Sequence, residues 1–369
     1  MEGEEKNVII TRYIVKEVLI TAAALTTILL LIFLSNQFVH YLSRSAEGQL
    51  PGIIVLKLMM LEIPNLLGLL LPLGFYMAVL VAYGRLYADS EMIVLQACGY
   101  TQRQLLATTM AMAFILAVIV GCLMIWASPV IAKDRRQLIS GGGVSTLIQA
   151  IIPQRFQAVS HGNRVFYVDK MSRDHQRAQG IFLAQRESVK HGNGQAWSLV
   201  WADEGYAEED EKQGAQFVVL KNGKEYQGTP GQADFRIMSF KQYKVRLPQP
   251  NESAVSSDVS TLPTSALLPV NNPDLKKAAE LQWRLSVPLM AVTLGLLAVP
   301  LSKVEPRRGK LAKMLPAVII YIIYANLMFV ARDWIINSQI PAWVGFWWLH
   351  GLVLLFGTAL IMLPRWRRQ

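Results

Sequence analysis

Cysteine is nearly absent: the 369 residues hold two, Cys98 and Cys122. They are too far apart in sequence to build a structural zinc site, and neither lies in the long polar stretch 133–282, so a domain there must fold without disulfides. No G-x-x-x-x-G-K-[ST] loop is present to cradle nucleotide phosphates, and no H-E-x-x-H helix to hold a catalytic metal. The five histidines are scattered, and His161, His175 and His191 fall at loop-like positions where surface or turn roles suffice. The expectation is no catalytic residue, no metal and no cofactor. Charged residues are also sparse, at 17% of the chain. The formal net charge of +10 does not point to nucleic acid, because the basic residues gather at the ends of apolar runs, where topology explains them.

What is abundant is apolar sequence, 53% of the chain, in long uninterrupted runs. A bilayer core of about 30 Å needs roughly 20 apolar residues at a helical rise of about 1.5 Å. Six stretches meet that standard: Val18 to Val39, Ile63 to Tyr83, Leu105 to Ala132, Leu285 to Ser302, Leu315 to Ala331, and Trp343 to Leu363. Trp343, Trp347 and Trp348 at the start of the last suit either an interfacial belt or ordinary packing. Glu2, Glu4 and Glu5 precede the first run, and its length exceeds a signal-peptide core, so it is read as retained.

Cytoplasmic loops keep an excess of Lys and Arg. Lys303, Arg307, Arg308, Lys310 and Lys313 separate spans four and five, and Arg365, Arg367 and Arg368 follow span six. Both termini and the stretch Gly84 to Gln104 are therefore expected in the cytoplasm, and the region from about Lys133 to Gln282 on the opposite side.

Within that region the hydrophobic period shortens to two. Val165–Val168, Ile181–Ala184, Trp197–Trp201, Phe217–Leu220 and Phe235–Phe240 are short, β-branched and aromatic, and read as strands. Asn222-Gly223 predicts a type I′ hairpin, with Gly192-Asn193-Gly194 and His161-Gly162-Asn163 as weaker turn signals. A β-sandwich, jelly roll or open barrel is implied rather than an α/β domain. Pro248 to Pro273, rich in Pro, Ser, Asn and Thr, predicts a flexible return to the membrane, and Lys276 to Arg284 a short helical lead-in.

Three features stand above this background. Gly84 to Gly99 combines acidic residues, apolar positions at helical spacing (Leu86, Ile93, Val94, Ala97) and a glycine stop. It predicts a short helix at the membrane surface, capped by Ser90 or Asp89 with Glu91 at its positive end, serving as a connector or as a docking helix for a soluble partner. Second, ionisable residues lie near the outer ends of spans: His40 and Arg44 after the first, Lys57 and Glu62 at the second, Arg332 and Asp333 closing the fifth. Singly they can snorkel; together they suit an anionic ligand group. Third, Pro64, Pro72, Pro288, Pro300 and Pro316 fall in or beside spans, as kinks or as points of relative motion.

Leu86-Tyr87-Ala88-Asp89-Ser90-Glu91 through Gln96-Ala97-Cys98-Gly99, Leu71-Pro72-Leu73, Ala279-Glu280-Leu281-Gln282-Trp283-Arg284, and Val299-Pro300-Leu301-Ser302 with Pro306-Arg307-Arg308-Gly309-Lys310 resemble the LptF/LptG permease family of lipopolysaccharide export, nearly end to end. The Ala97-Cys98-Gly99 and Glu280–Arg284 variants are most similar to its LptF branch. The resemblance implies a membrane α-helical bundle of six transmembrane helices with an inserted all-β periplasmic domain, a β-jellyroll, in a multi-pass protein of the bacterial inner membrane. Residues 1–132 would hold spans one to three with a coupling helix at about 86–98, residues 133–262 the β-domain, 263–284 the linker and lead-in, and 285–369 spans four to six. It further implies a non-enzymatic permease subunit of an ABC transporter, paired with an LptG-like permease, driven by an LptB-like ATPase dimer, and passing lipopolysaccharide to an LptC-like protein and an LptA bridge. Carried onto this chain, Asp89, Ser90, Glu91 and Leu95 would couple to the ATPase, while His40, Arg44, Lys57 and Arg332 would meet the lipid's anionic head. Phe166, Phe182, Trp197, Phe217 and Phe235 would line the β-domain for acyl chains, or form its ordinary core. Span one departs from the family pattern, with Gln37 and His40 where basic residues are expected and Arg44 a turn further on. A permease of another ABC exporter would share the coupling loop, and a membrane-anchored scaffold with a protein-binding β-domain would need no ATPase.

Overall fold

The structure, a computed structural model, describes residues 2–46, 52–140, 153–159, 164–172, 177–188, 195–210, 215–229, 235–246, 259–268, 274–303 and 314–362. The basic residues from Arg307 to Lys313 and from Arg365 to Arg368, the glycine-containing turns at 161–163 and 192–194, and His175 lie outside them. Two compact units are present: residues 1–35, 61–133 and 256–369 form the first, and residues 36–60 and 134–255 the second.

Helices α1 (Glu2–Ala46), α2 (Gly52–Ala88), α3 (Glu91–Ala97) and α4 (Gln102–Cys122) follow one another, and α4 passes through a wide π turn, Leu123–Ala127, into α5 (Ser128–Ser140). After the strands come two 3-10 turns, Val259–Thr261 and Thr264–Leu267, then α6 (Leu275–Leu301), α7 (Met314–Ile336) and α8 (Trp347–Met362). Among the described residues five helical stretches are long and apolar enough to cross a membrane: Asn7–Ala46, Ile54–Ala88, Gln102–Ile139, Leu275–Leu301 and Leu315–Ile336. α8 is apolar but spans 16 residues, because the chain from Ala342 to Phe346 is turn rather than helix. Of the tryptophans read as a belt, Trp343 and Trp347 are exposed, whereas Trp348 stacks on Trp334 with ring centroids 6.5 Å apart.

The five spans differ in how much of themselves they hide. In the most apolar window of α2, and likewise of α6, 61% of residues are buried inside the chain, against 22% for the α4–α5 stretch and for α7, and 11% for α1. α6 packs on α4, α7 and α8, so it is the central helix of the first unit. Tyr76, Tyr83, Leu86, Met92, Leu105, Leu294, Tyr324 and Phe346 form its fully buried core. In lipid a buried hydroxyl must find a partner inside the protein. Accordingly Tyr83 shares a 2.7 Å hydrogen bond with Thr109, Tyr76 donates to the Ala317 carbonyl at 3.1 Å, and Tyr324 bonds both Thr293 and His350.

The second unit carries one antiparallel sheet of six strands in sequence order: β1 (Gln157–Val159), β2 (Arg164–Met171), β3 (Arg177–Ser188), β4 (Gln195–Asp210), β5 (Ala215–Gly228) and β6 (Arg236–Arg246). Four of the strand stretches read from the two-residue period lie inside β2 to β5, and the fifth begins one residue before β6. These ladders establish a meander; a jellyroll closure is not among them. Asn222-Gly223 is not a hairpin turn. Lys221 pairs with Glu204 and Gln242, Gly223 pairs with Ala202 and Phe240, and β5 runs through unbroken. Asn222 does take the positive φ that its type allows, 49°, but uses it within the strand. Glycine is required next to it because a Cβ on Gly223 would lie 2.3 Å from the Trp201 carbonyl oxygen and 2.4 Å from the Phe240 ring. Close approach between strands, not reversal of the chain, explains the pair.

Candidate functional site

α3 is the short helix expected from the sequence. Met92 is the residue that buries, together with Leu86 on α2, while Ile93 and Val94 stand exposed and Leu95 is half-buried against the core. Ser90 occupies the N-cap position but in the left-handed region, φ 62°, and makes no side-chain capping bond. Asp89 is exposed; its backbone N–H donates to the Arg85 carbonyl at 2.9 Å, continuing the end of α2. The helix is held from below instead. Tyr13 Oη on α1 donates to Glu91 Oε2 at 2.8 Å, and Arg85 pairs with Glu17 on α1 at 2.9 Å. Gly99, at φ 94°, ends the helix, as the glycine stop predicts. Thr101 and Gln104 then form a reciprocal capping box that starts α4.

The segment Glu280–Arg284 on α6, quoted from the sequence as a motif, assembles a dense polar network, and of its members only Arg332 was given a site role from sequence. Arg284 is 1% exposed and Glu280 6%. Nε of Arg284 bonds Glu280 Oε1 at 3.0 Å, one helical turn away. Its Nη1 reaches the Leu262 carbonyl at 3.0 Å and Thr264 Oγ1 at 2.8 Å, and Nη2 the Ser260 carbonyl at 2.9 Å. A planar guanidinium with fixed donor directions can satisfy several acceptors at once, which a lysine ammonium does poorly. Stretch 259–268, expected to be part of a flexible return, is therefore a strap of two 3-10 turns gripped by one buried side chain, with Leu267 buried beside it.

The strap continues the network to α4. Thr264 Oγ1, accepting from Arg284, donates its own proton to the Ile125 carbonyl at 2.7 Å. That carbonyl needs an outside donor because the residue four positions on is Pro129, which has no N–H. The same proline accounts for the π turn Leu123–Ala127, in which Ser128 N–H reaches back to the Leu123 carbonyl.

Glu280 has a second guest. Arg332 on α7, 34% exposed, donates from Nη2 to Glu280 Oε2 at 2.6 Å and lies over the Trp283 ring at 5.3 Å. Trp283 also packs on Phe329 and Phe346, with ring centroids 5.0 and 6.1 Å away. Gln282 donates to the Ala342 carbonyl and so ties the turn before α8 to α6. Through Glu280, Gln282, Trp283 and Arg284 the segment thus contacts α7, the turn before α8 and the strap.

The other residues read as lipid contacts, His40, Arg44 and Lys57, are exposed and belong to the second unit, so they are not part of this network. The five aromatics expected to line the β-domain do not share one face. Phe166 pairs with Leu183, whereas Phe182 pairs with Tyr167 and Trp201, and neighbouring rows of a sheet point to opposite sides. Trp197 has the parity of Trp201 and therefore lies with Phe182. Phe217 pairs with Arg246 beyond Asn222, and Phe235 is exposed just ahead of β6. Phe156, ahead of β1, packs on Tyr167 and edge-on to Phe182, at centroid distances of 4.8 and 6.2 Å.

Comparison with known proteins places this architecture. The family model "Lipopolysaccharide export system permease LptF/LptG" matches residues 12–363. The chain is 31% identical over 317 residues to the lipopolysaccharide export system permease protein LptF of Escherichia coli strain K12, covering 86% of this chain and 84% of that protein. LptF of Shigella flexneri matches to the same extent. LptG of E. coli strain K12 is 24% identical over 172 residues, 45% of this chain and 46% of that protein. A match across nearly the whole chain, through helices, sheet and the α6 motif alike, establishes that the chain belongs to the lipopolysaccharide export system permease LptF/LptG family.

Proposed function

We propose that the chain is an LptF-type permease subunit of an ABC transporter that extracts lipopolysaccharide from the bacterial inner membrane and passes it to a periplasmic bridge. The observation that carries the reading is the similarity to LptF over 86% of the chain, with its permease motifs at structurally connected positions. In this reading α8 with its preceding turn is the sixth span, both termini are cytoplasmic, and residues 133–262 form the periplasmic domain, closed as a jellyroll. The weakly covered α1 and α7 face lipid and an LptG-like permease, and a lateral opening between spans one and five of the paired permeases admits an amphiphile too large for an aqueous pore.

α3 would be the coupling helix for an LptB-like ATPase dimer. Support comes from its exposed Glu91, Ile93 and Val94 on a base fixed by Met92 and by the Tyr13 bond. Asp89, Ser90 and Leu95 complete that surface, and Arg332, His40, Arg44 and Lys57 would meet lipid phosphates. Phe166, Phe182, Trp197, Phe217 and Phe235 would shelter acyl chains on the way to an LptC-like protein, Phe182 and Trp197 from one side of the sheet and Phe166 from the other.

The test is affinity purification of the tagged chain from native membranes in mild detergent, with mass spectrometry of proteins and lipids. Recovery of an ATPase, a second permease and lipopolysaccharide is the expected result. Glu91→Lys should lower ATPase recovery severalfold while the second permease stays, since charge reversal at an interface costs several kcal/mol. Copurification without any ATPase under conditions that preserve membrane complexes would favour a scaffold instead.

A further inference from the structure

Two guanidiniums share one carboxylate in the α6 network, and their surroundings differ. Arg284 is 1% exposed and spends its remaining donors on the strap, so it has no freedom to leave. Arg332 is 34% exposed, and among the described residues its ion pair is with Glu280 alone. Its second anchor is the face of Trp283, which orients a guanidinium without neutralising it. The cluster as a whole keeps one positive charge in excess.

An arginine in this state is engaged but not saturated. Glu280 Oε2 occupies a donor edge that a phosphate oxygen would take, with the same charge-assisted geometry. Glu280 does not need Arg332 in order to stay ionic, because its other oxygen is held by the buried Arg284. Exchange of partner at Arg332 therefore leaves no buried charge unpaired, the outcome that would otherwise make it costly.

We propose that Glu280 is the resident counter-ion of Arg332, displaced by the anionic headgroup of the transported lipid, and that Arg284 is the positioning residue that keeps Glu280 in place during the exchange. The proposal rests on the export reading and deepens it. It makes Arg332 a conditional anion site, guarded against small anions by an internal carboxylate and opened by a multivalent headgroup. Because Arg284 also grips Ser260, Leu262 and Thr264, and Thr264 grips Ile125, any shift of Glu280 on exchange bears on the strap that leads out of the sheet unit and on the π turn of α4.

The experiment measures binding of purified lipopolysaccharide and of its chemically dephosphorylated form to the full complex in detergent, and reads the ratio of the two affinities. A ratio is independent of the fraction of folded protein. Glu280→Gln keeps an acceptor for Arg284 but turns a neutral amide toward Arg332, and should raise the preference for the phosphorylated form about threefold or more. Glu280→Asp, which retains the charge but withdraws it by one methylene, should shift the ratio the same way and by less. Arg332→Gln should bring the ratio toward one, and Glu280→Gln added to it should change nothing further. Binding of both forms falling together at an unchanged ratio in the Glu280 variants, or a ratio unmoved by Arg332→Gln, overturns the proposal. If the wild-type complex binds neither form, the export reading itself fails and this proposal with it; if it binds both and only the variants are silent, the export reading stands and the counter-ion does not.

Discussion

Two ion-paired corners of the first unit use the same chemistry in opposite settings. At the corner of α1, α2 and α3, Arg85 and Glu17 meet at 2.9 Å with 45% and 23% of their side chains exposed. On α6, Arg284 and Glu280 meet at 3.0 Å with 1% and 6% exposed. The first pair is surrounded by solvent that can replace either partner, so its geometry is a preference. The second has no replacement: each broken contact strands a charge or a carbonyl away from water. A surface open to solvent tolerates the first arrangement, and a joint that holds a strap to a helix requires the second.

The largest expected effect is at that joint. Arg284→Met removes the group that donates to Glu280 Oε1, two carbonyls and a hydroxyl, and loss of one partner of a buried pair costs about 3–5 kcal/mol. It should lower the thermal midpoint of the purified complex and raise deuterium uptake across residues 259–268; an unchanged midpoint would place the stability of the strap elsewhere. Thr264→Val, which keeps shape but deletes the donor to Ile125, should cost roughly 1–3 kcal/mol and increase uptake in the strap and the π turn together. Uptake confined to the strap would mean that Pro129 alone maintains the π turn. The smallest effect is at the exposed corner, where Glu17→Gln should cost about 0.2–1 kcal/mol and lose its effect as salt is raised. A loss there as large as that of Arg284→Met would erase the contrast between the two corners.

Much of the fold was legible along the chain. Uninterrupted apolar runs announced the spans, since lipid imposes a length and a composition on any helix that crosses it. The two-residue period announced the strands, although Asn222-Gly223 misled: its backbone preference is met, but pairing on both flanks keeps the strand going. Faces were harder to read. Of the apolar residues on α3, Met92 is buried while Ile93 and Val94 stand exposed, an orientation that spacing alone does not give, because a seven-residue helix over a bundle is oriented by its anchors rather than by its own periodicity. Pro129, four residues after Ile125 inside an apolar run, was not among the prolines singled out, although its missing N–H leaves that carbonyl without its helical donor. Nothing local indicated that Thr264, 139 positions later, would satisfy it.

The sequence by itself therefore determined what depends on neighbours along the chain: where helices cross, where strands alternate, where Gly99 ends α3 and where Pro129 breaks the hydrogen-bond ladder. Only the tertiary structure decided that α6 is central and α1 peripheral, that Arg284 is buried while Arg85 is not, and that Arg332 meets Glu280 across 52 positions. The physical reason is range. Propensity, period and capping act within a few residues, whereas the pairing of a charge inside a membrane protein is settled by whichever opposite group the packed helices bring within reach.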